Sequence, residues 1–78
     1  MHIIKQLRDQ FNVRIDAKII ECLQIHGLMT DSELQRRTAI SASRLQSRLE
    51  RLADIGSVRF DINSGRWRIY HQSQSYAA

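Results

Sequence analysis

Proline is absent from this chain, and its 78 residues include only three glycines, five aromatics and one cysteine. With 42% apolar and 26% charged residues, that composition fits a compact helical globule rather than an unfolded polymer. A lone Cys22 excludes an internal disulfide, and a reducing cytoplasm is the expected location. No apolar run approaches the ~20 residues needed to span a bilayer. The opening Met1-His2-Ile3-Ile4-Lys5 has neither the apolar region nor the cleavage site of a signal peptide. His2, His26 and His71 are scattered, with no partner at metal-ligand spacing. The chain also lacks a Gly-rich phosphate loop, a pocket-forming carboxylate pair and a Ser/His/Asp set, so catalysis and a cofactor are not expected. So short a chain has little interior to spare for a small-molecule pocket.

Positive charge is present, and unevenly placed. Ten of the twelve basic residues are Arg. From Arg36 to Arg68, eight Arg face only Glu50, Asp54 and Asp61, a balance of +5, while the rest of the chain carries −1. Arg makes planar, forked contacts to phosphates and guanine edges that Lys makes less well. Solvated helix faces also carry Arg, so charge alone leaves nucleic acid and plain surface at even odds.

The apolar spacing sets out the elements. Ile3, Ile4, Leu7 and Phe11 predict an amphipathic helix over 2–11, and Asn12-Val13-Arg14-Ile15 interrupts the pattern. Asp16 is read as the cap of a helix over 16–27 with Ile19, Ile20 and Leu23 facing the core and Gly27 as its stop. Thr30 and Glu33 form a capping-box signature that starts a helix over 31–38. Ser41 is the expected N-cap of a helix over 41–55, with Leu45, Leu49 and Leu52 inward, Arg44, Arg48 and Arg51 on roughly the opposite face, and Gly56 as terminator. Two alternating segments around Asn63-Ser64-Gly65 predict a hairpin over 58–70 whose Phe60, Ile62, Trp67 and Ile69 lean on the helices. Residues 71–78 read as a disordered tail. The fold class is therefore mainly α with a small β-hairpin: a winged helix-turn-helix in one domain, 1–70, made of three core helices, a short N-terminal helix and a two-stranded wing.

From Ile40-Ser41-Ala42-Ser43-Arg44-Leu45 through Leu49, Leu52, Gly56 and Val58, the chain resembles the small winged-helix transcriptional regulators of bacteria, of MarR-like and PapI-like pattern. That resemblance covers Thr30 to about Tyr70 and implies DNA contact through the helix at 41–55. It places Ser41, Ala42, Ser43, Arg44, Gln46, Ser47 and Arg48 on or near the DNA side, and Arg66 and Arg68 near the wing tip. Ser41 and Ser43 would meet phosphates, Gln46 would read adenine, and Arg44 or Arg48 guanine. Family wings are often longer and richer in Lys and Gly than this one, which speaks against deep minor-groove insertion. Arg37, like Arg36, fits backbone contact and solvated surface equally well.

The expected activity is sequence-specific binding of double-stranded DNA by a cytoplasmic transcriptional regulator. The alternative is a winged-helix adaptor or anti-repressor that binds an acidic protein partner. Ile3, Ile4, Leu7 and Phe11 are expected either as a homodimer contact or as packing on the chain's own core. Arg51 is expected to pair with Asp54, Trp67 to anchor the hairpin, and Cys22 to sit on or beside the core face.

Overall fold

A computed structural model describes the backbone of residues 2–70 and the side chains of residues 10–70. It contains α1 (His2–His26), α2 (Asp31–Thr38), α3 (Ala42–Asp54), β1 (Val58–Asp61) and β2 (Arg66–Ile69). The two strands pair antiparallel, Val58 opposite Ile69 and Asp61 opposite Arg66. A further isolated bridge ties Met29 to Trp67: the Met29 N–H donates to the Trp67 carbonyl at 3.1 Å, and the Trp67 N–H donates back at 2.7 Å. Met29 thus adds a single bridging residue beside the hairpin.

The main departure from expectation is α1. The helices expected over 2–11 and 16–27 are one unbroken helix. Val13 and Ile15 are weak helix formers, but each costs only a few tenths of a kcal/mol, and no Pro or Gly lies between His2 and His26. Phe11, Ile15, Ile19 and Leu23 follow one another in steps of four, so the apolar stripe runs straight through the supposed break. Asp16 caps nothing and spends its carboxylate on Arg48. The expectations for Ile3, Ile4 and Leu7, and for the tail at 71–78, lie outside the residues described to that level.

One core joins all three helices to the hairpin. Ile15, Ile19, Cys22 and Leu23 of α1 meet Met29, Leu34, Ile40, Leu45, Leu49, Leu52, Val58 and Trp67, with Ile20 and Ile69 packed at its edge. Two hairpin assignments change. Phe60 is 42% exposed and Ile62 83% exposed. Only the base of the hairpin, through Val58, Trp67 and Ile69, reaches the helices. Ile62 is in the loop, and Phe60 covers the Trp67 ring instead, centroids 5.0 Å apart.

The chain ends its helices where the sequence signals it. At α2 the Thr30 Oγ1 accepts from the Glu33 N–H (3.1 Å) and the Glu33 carboxylate accepts from the Thr30 N–H (2.9 Å), a complete capping box. After α3, the Ser57 N–H reaches the Leu52 carbonyl and the Gly56 N–H the Ala53 carbonyl, with Gly56 at φ +83°. That is a Schellman stop, which favours Gly because the left-handed backbone crowds a Cβ. The Thr30 N–H, helped by Arg66 and Arg36, holds the Glu33 carboxyl below its ordinary value of 4.5. A depressed carboxylate stabilises the fold above its unfolded pKa, and that contribution is lost as pH falls through the folded value. The stability difference between wild type and Glu33→Gln, followed by urea denaturation, is therefore expected to shrink as pH is lowered from about 6 to well below the ordinary value of 4.5. A difference that stays constant over that range would show that the ionised carboxylate contributes nothing.

Candidate nucleic-acid interface

The turn from α2 to α3 is built from Thr38-Ala39-Ile40-Ser41. Ala39 closes α2 in the left-handed region, φ 60° and ψ 25°, its N–H donating to the Gln35 carbonyl. The Thr38 hydroxyl donates to the Leu34 carbonyl at 2.6 Å, and Ile40 is buried, 7% exposed. These contacts fix the exit angle of the chain, so α3 begins with its leucines pressed on α1 and α2. Ser41 occupies the N-cap position as expected, with extended backbone, but its side chain makes no capping hydrogen bond. The first N–H groups of α3 are therefore left to other acceptors.

Leu45 and Leu49 are 2% and 0% exposed, and Leu52 closes the same face. Directly opposite, at the same spacing, stand Ser43, Ser47, Glu50 and Asp54, all exposed. The arginines are placed differently from expectation. Arg44 and Arg48 lie on the flank of α3 that turns toward α1 rather than on its outer face. The Arg44 guanidinium lies over the Phe11 ring, 4.7 Å from its centroid. Arg48 donates from Nε and Nη2 to the two oxygens of Asp16, both at 2.8 Å. That hydrogen-bonded pair pushes the Arg48 guanidinium further up from its ordinary value. Arg51 is exposed and forms no ion pair with Asp54 among the described residues. Gln46 is exposed on the other flank and donates to the Glu50 carboxylate at 2.9 Å.

Of the residues expected to face DNA, Ser41, Ser43, Arg44, Ser47 and Arg48 come together at one cleft, shared with Phe11 and Asn12 of α1. Ala42 is exposed at the same end of α3. Arg37 stands apart, in a cleft between α1 and α2 with Lys18 and Arg36. Arg66 and Arg68 are on the outer side of the hairpin. Arg66 is 4.0 Å from Glu33, a loose pair between exposed groups. Arg68 lies directly across the ladder from Arg59, two like charges side by side. The Arg59 guanidinium rests 4.9 Å above the centroid of the Tyr70 ring.

The wing tip is a four-residue loop, 62–65. Its acceptor is Asp61, which takes the Asn63 N–H on Oδ1 and the Ser64 hydroxyl on Oδ2, both at 3.0 Å. These bonds hold the Asp61 carboxyl below its usual range, the Ser64 hydroxyl contributing most. The Gly65 N–H closes the loop on the Asp61 carbonyl at 2.7 Å, with φ +69°.

Three contacts leave no local signal in the sequence. Asp16 holds Arg48, Asp31 accepts from the Trp67 indole N–H at 2.6 Å, and Phe11 supports Arg44. Each links residues more than thirty positions apart, beyond the reach of periodicity or capping rules. The arrangement as a whole presents an exposed polar helix end and a tight, basic hairpin on one shared core. No described helix is long and apolar enough to cross a membrane. No curated protein and no solved structure matches the chain significantly. A family model for winged helix-turn-helix DNA-binding domains matches residues 14–59, from the second half of α1 into β1. With that match over more than half of its length, the chain belongs to the winged helix-turn-helix DNA-binding family.

Proposed function

We propose that this protein is a sequence-specific regulator of transcription that lays the first two turns of α3 in the major groove of duplex DNA. The observation that carries this reading is the exposed row of Ser43, Arg44, Gln46 and Ser47 on a helix whose other side is buried through its leucines. In it, the Ser43 hydroxyl and the uncapped N–H groups of α3 meet phosphate, aided by the helix dipole. Gln46 leaves Glu50 to read adenine, and Arg44, pre-aimed by Phe11, reads guanine. Arg59, Arg66 and Arg68 meet the backbone beside the groove. The like-charge pair Arg59–Arg68 supports this, because cross-strand repulsion favours an anion between the two side chains. The wing stays shallow, since its tip is short and closed on Asp61.

A second copy completes the reading. Among residues 10–14 of α1 no side chain is buried, and Phe11 and Val13 are 51% and 65% exposed. A helical segment of that length is marginal in water without a partner. Two chains joined through the first half of α1 would place two α3 helices on successive half-sites.

Selection of bound sequences from a random duplex pool tests the proposal. An enriched motif is expected, and a palindromic one would report the dimer. With about four phosphate contacts, affinity should fall roughly a hundred-fold from ~50 to ~200 mM salt. Gln46→Ala and Arg44→Ala should each relax preference at one position, by about 1–3 kcal/mol. Binding of an acidic protein that survives the same salt change, with no enriched DNA, would favour an adaptor instead.

A further inference from the structure

We infer that Arg48 is a positioning residue: clamped by Asp16, it sets the roll of α3 against α1 and so decides which side chains of α3 face the groove. This rests on the DNA-binding reading above, and it removes Arg48 from the residues that touch DNA.

The geometry is specific. Nε and Nη2 of Arg48 each donate to a different oxygen of Asp16 at 2.8 Å, joining positions 32 residues apart. The two side chains are only 19% and 21% exposed. A planar fork on a planar carboxylate fixes orientation as well as distance. The leucine stripe of α3 cannot do that alone, because apolar contacts are non-directional and permit small rotations. One turn earlier, the Arg44 guanidinium lies on Phe11, five residues before Asp16 on α1. The two contacts brace α3 against α1 at two levels. A rotation that swung Arg48 toward a base would break both bonds to Asp16 and leave a half-buried carboxylate unpaired, the costly way to lose such a pair. With Arg48 held, Ser43 and Ser47 point outward and Arg44 and Gln46 flank them.

The contrary reading is that Arg48 leaves Asp16 when DNA arrives and contacts phosphate or guanine directly. Two double variants that preserve net charge separate the readings: the swap Asp16→Arg/Arg48→Asp, and the apolar pair Asp16→Leu/Arg48→Met. Anisotropy titrations on a mixed-sequence duplex and on the pool-selected duplex, from ~50 to ~200 mM salt, are the measurement. Arg48→Asp alone should bind at least tenfold more weakly than wild type. The swap should return affinity to within about threefold of wild type, with an unchanged salt slope and unchanged preference. A swap no better than Arg48→Asp alone would overturn the inference. So would a slope lower by about 0.9 in the apolar pair, the mark of one lost phosphate contact. Should the swap fail to fold, as judged by thermal melting, the apolar pair decides: with the fork gone, an unchanged salt slope with an altered preference is expected, and an unchanged preference would overturn the inference. If wild type binds neither duplex, it is the DNA reading that fails. Melting of the single and double variants then still tests the clamp, and additive losses would overturn it.

Discussion

Replacing Trp67 with Ala is expected to cost about 3–5 kcal/mol of stability, the usual range for an aromatic removed from a core. For a domain of this length the whole reserve is about 4–12 kcal/mol. The variant should therefore sit at or near the edge of folding. Trp67 is 9% exposed and is the point at which three parts of the chain converge. Its ring carries Phe60, its indole N–H reaches Asp31 at the start of α2, and its backbone makes both hydrogen bonds to Met29. Urea denaturation followed by circular dichroism measures the loss. Trp67→Phe keeps a ring and gives up only the bond to an exposed Asp31, so it should cost far less. A loss below about 1 kcal/mol for Trp67→Ala would mean that the hairpin rides on the helices without holding them.

Leu49→Ala should be nearly as damaging, at about 2–5 kcal/mol. Leu49 has no exposed surface and lies at the centre of the leucine face of α3. The packed neighbours cannot collapse fully into the space, so the cost includes the cavity as well as the lost burial. The useful contrast is with Ile62→Ala, an equally large deletion at a residue 83% exposed, which should be close to neutral. DNA binding by Leu49→Ala should be lost in step with its helical signal as the variant is heated, at a lowered melting temperature, whereas Gln46→Ala should alter binding at an unchanged melting temperature. A native-like melt for Leu49→Ala would show that α3 is rotated from the orientation described.

Those two residues also show what the sequence discloses. The leucine spacing, the Thr30–Glu33 box and the glycines at 27, 56 and 65 are local signals, and the structure uses each of them where it was read. Val13 and Ile15 suggest an interruption of α1 by residue type. The step of four from Phe11 to Leu23, which keeps one face apolar, outweighs that weak preference. Phe60 and Ile62 alternate as core residues should, yet a pattern cannot tell how far a hairpin overhangs the helices beneath it. The arginines illustrate the same gap. Their spacing places them on one side of α3, but only the tertiary fold shows that this side faces Phe11 and Asp16. What was legible is the architecture and the end of α3 that is free; what was not is which cations are already engaged by the protein itself.

The outer row of α3 turns from neutral to negative along its length, from Ser43 and Ser47 to Glu50 and Asp54. On a helix docked as proposed, phosphates would repel the second half, which makes it an instrument of limited aperture. Two turns span about 11 Å, and bases in a strand are about 3.4 Å apart, so one chain laid in the groove as proposed would survey some three base pairs. A three-letter word recurs about once in every 64 positions of random sequence, far too often to mark one place among the ~10⁶–10⁹ sites of a genome. On the proposed reading, the addressing capacity of this protein would lie in how many copies are set side by side, and at what spacing, more than in any single reading helix.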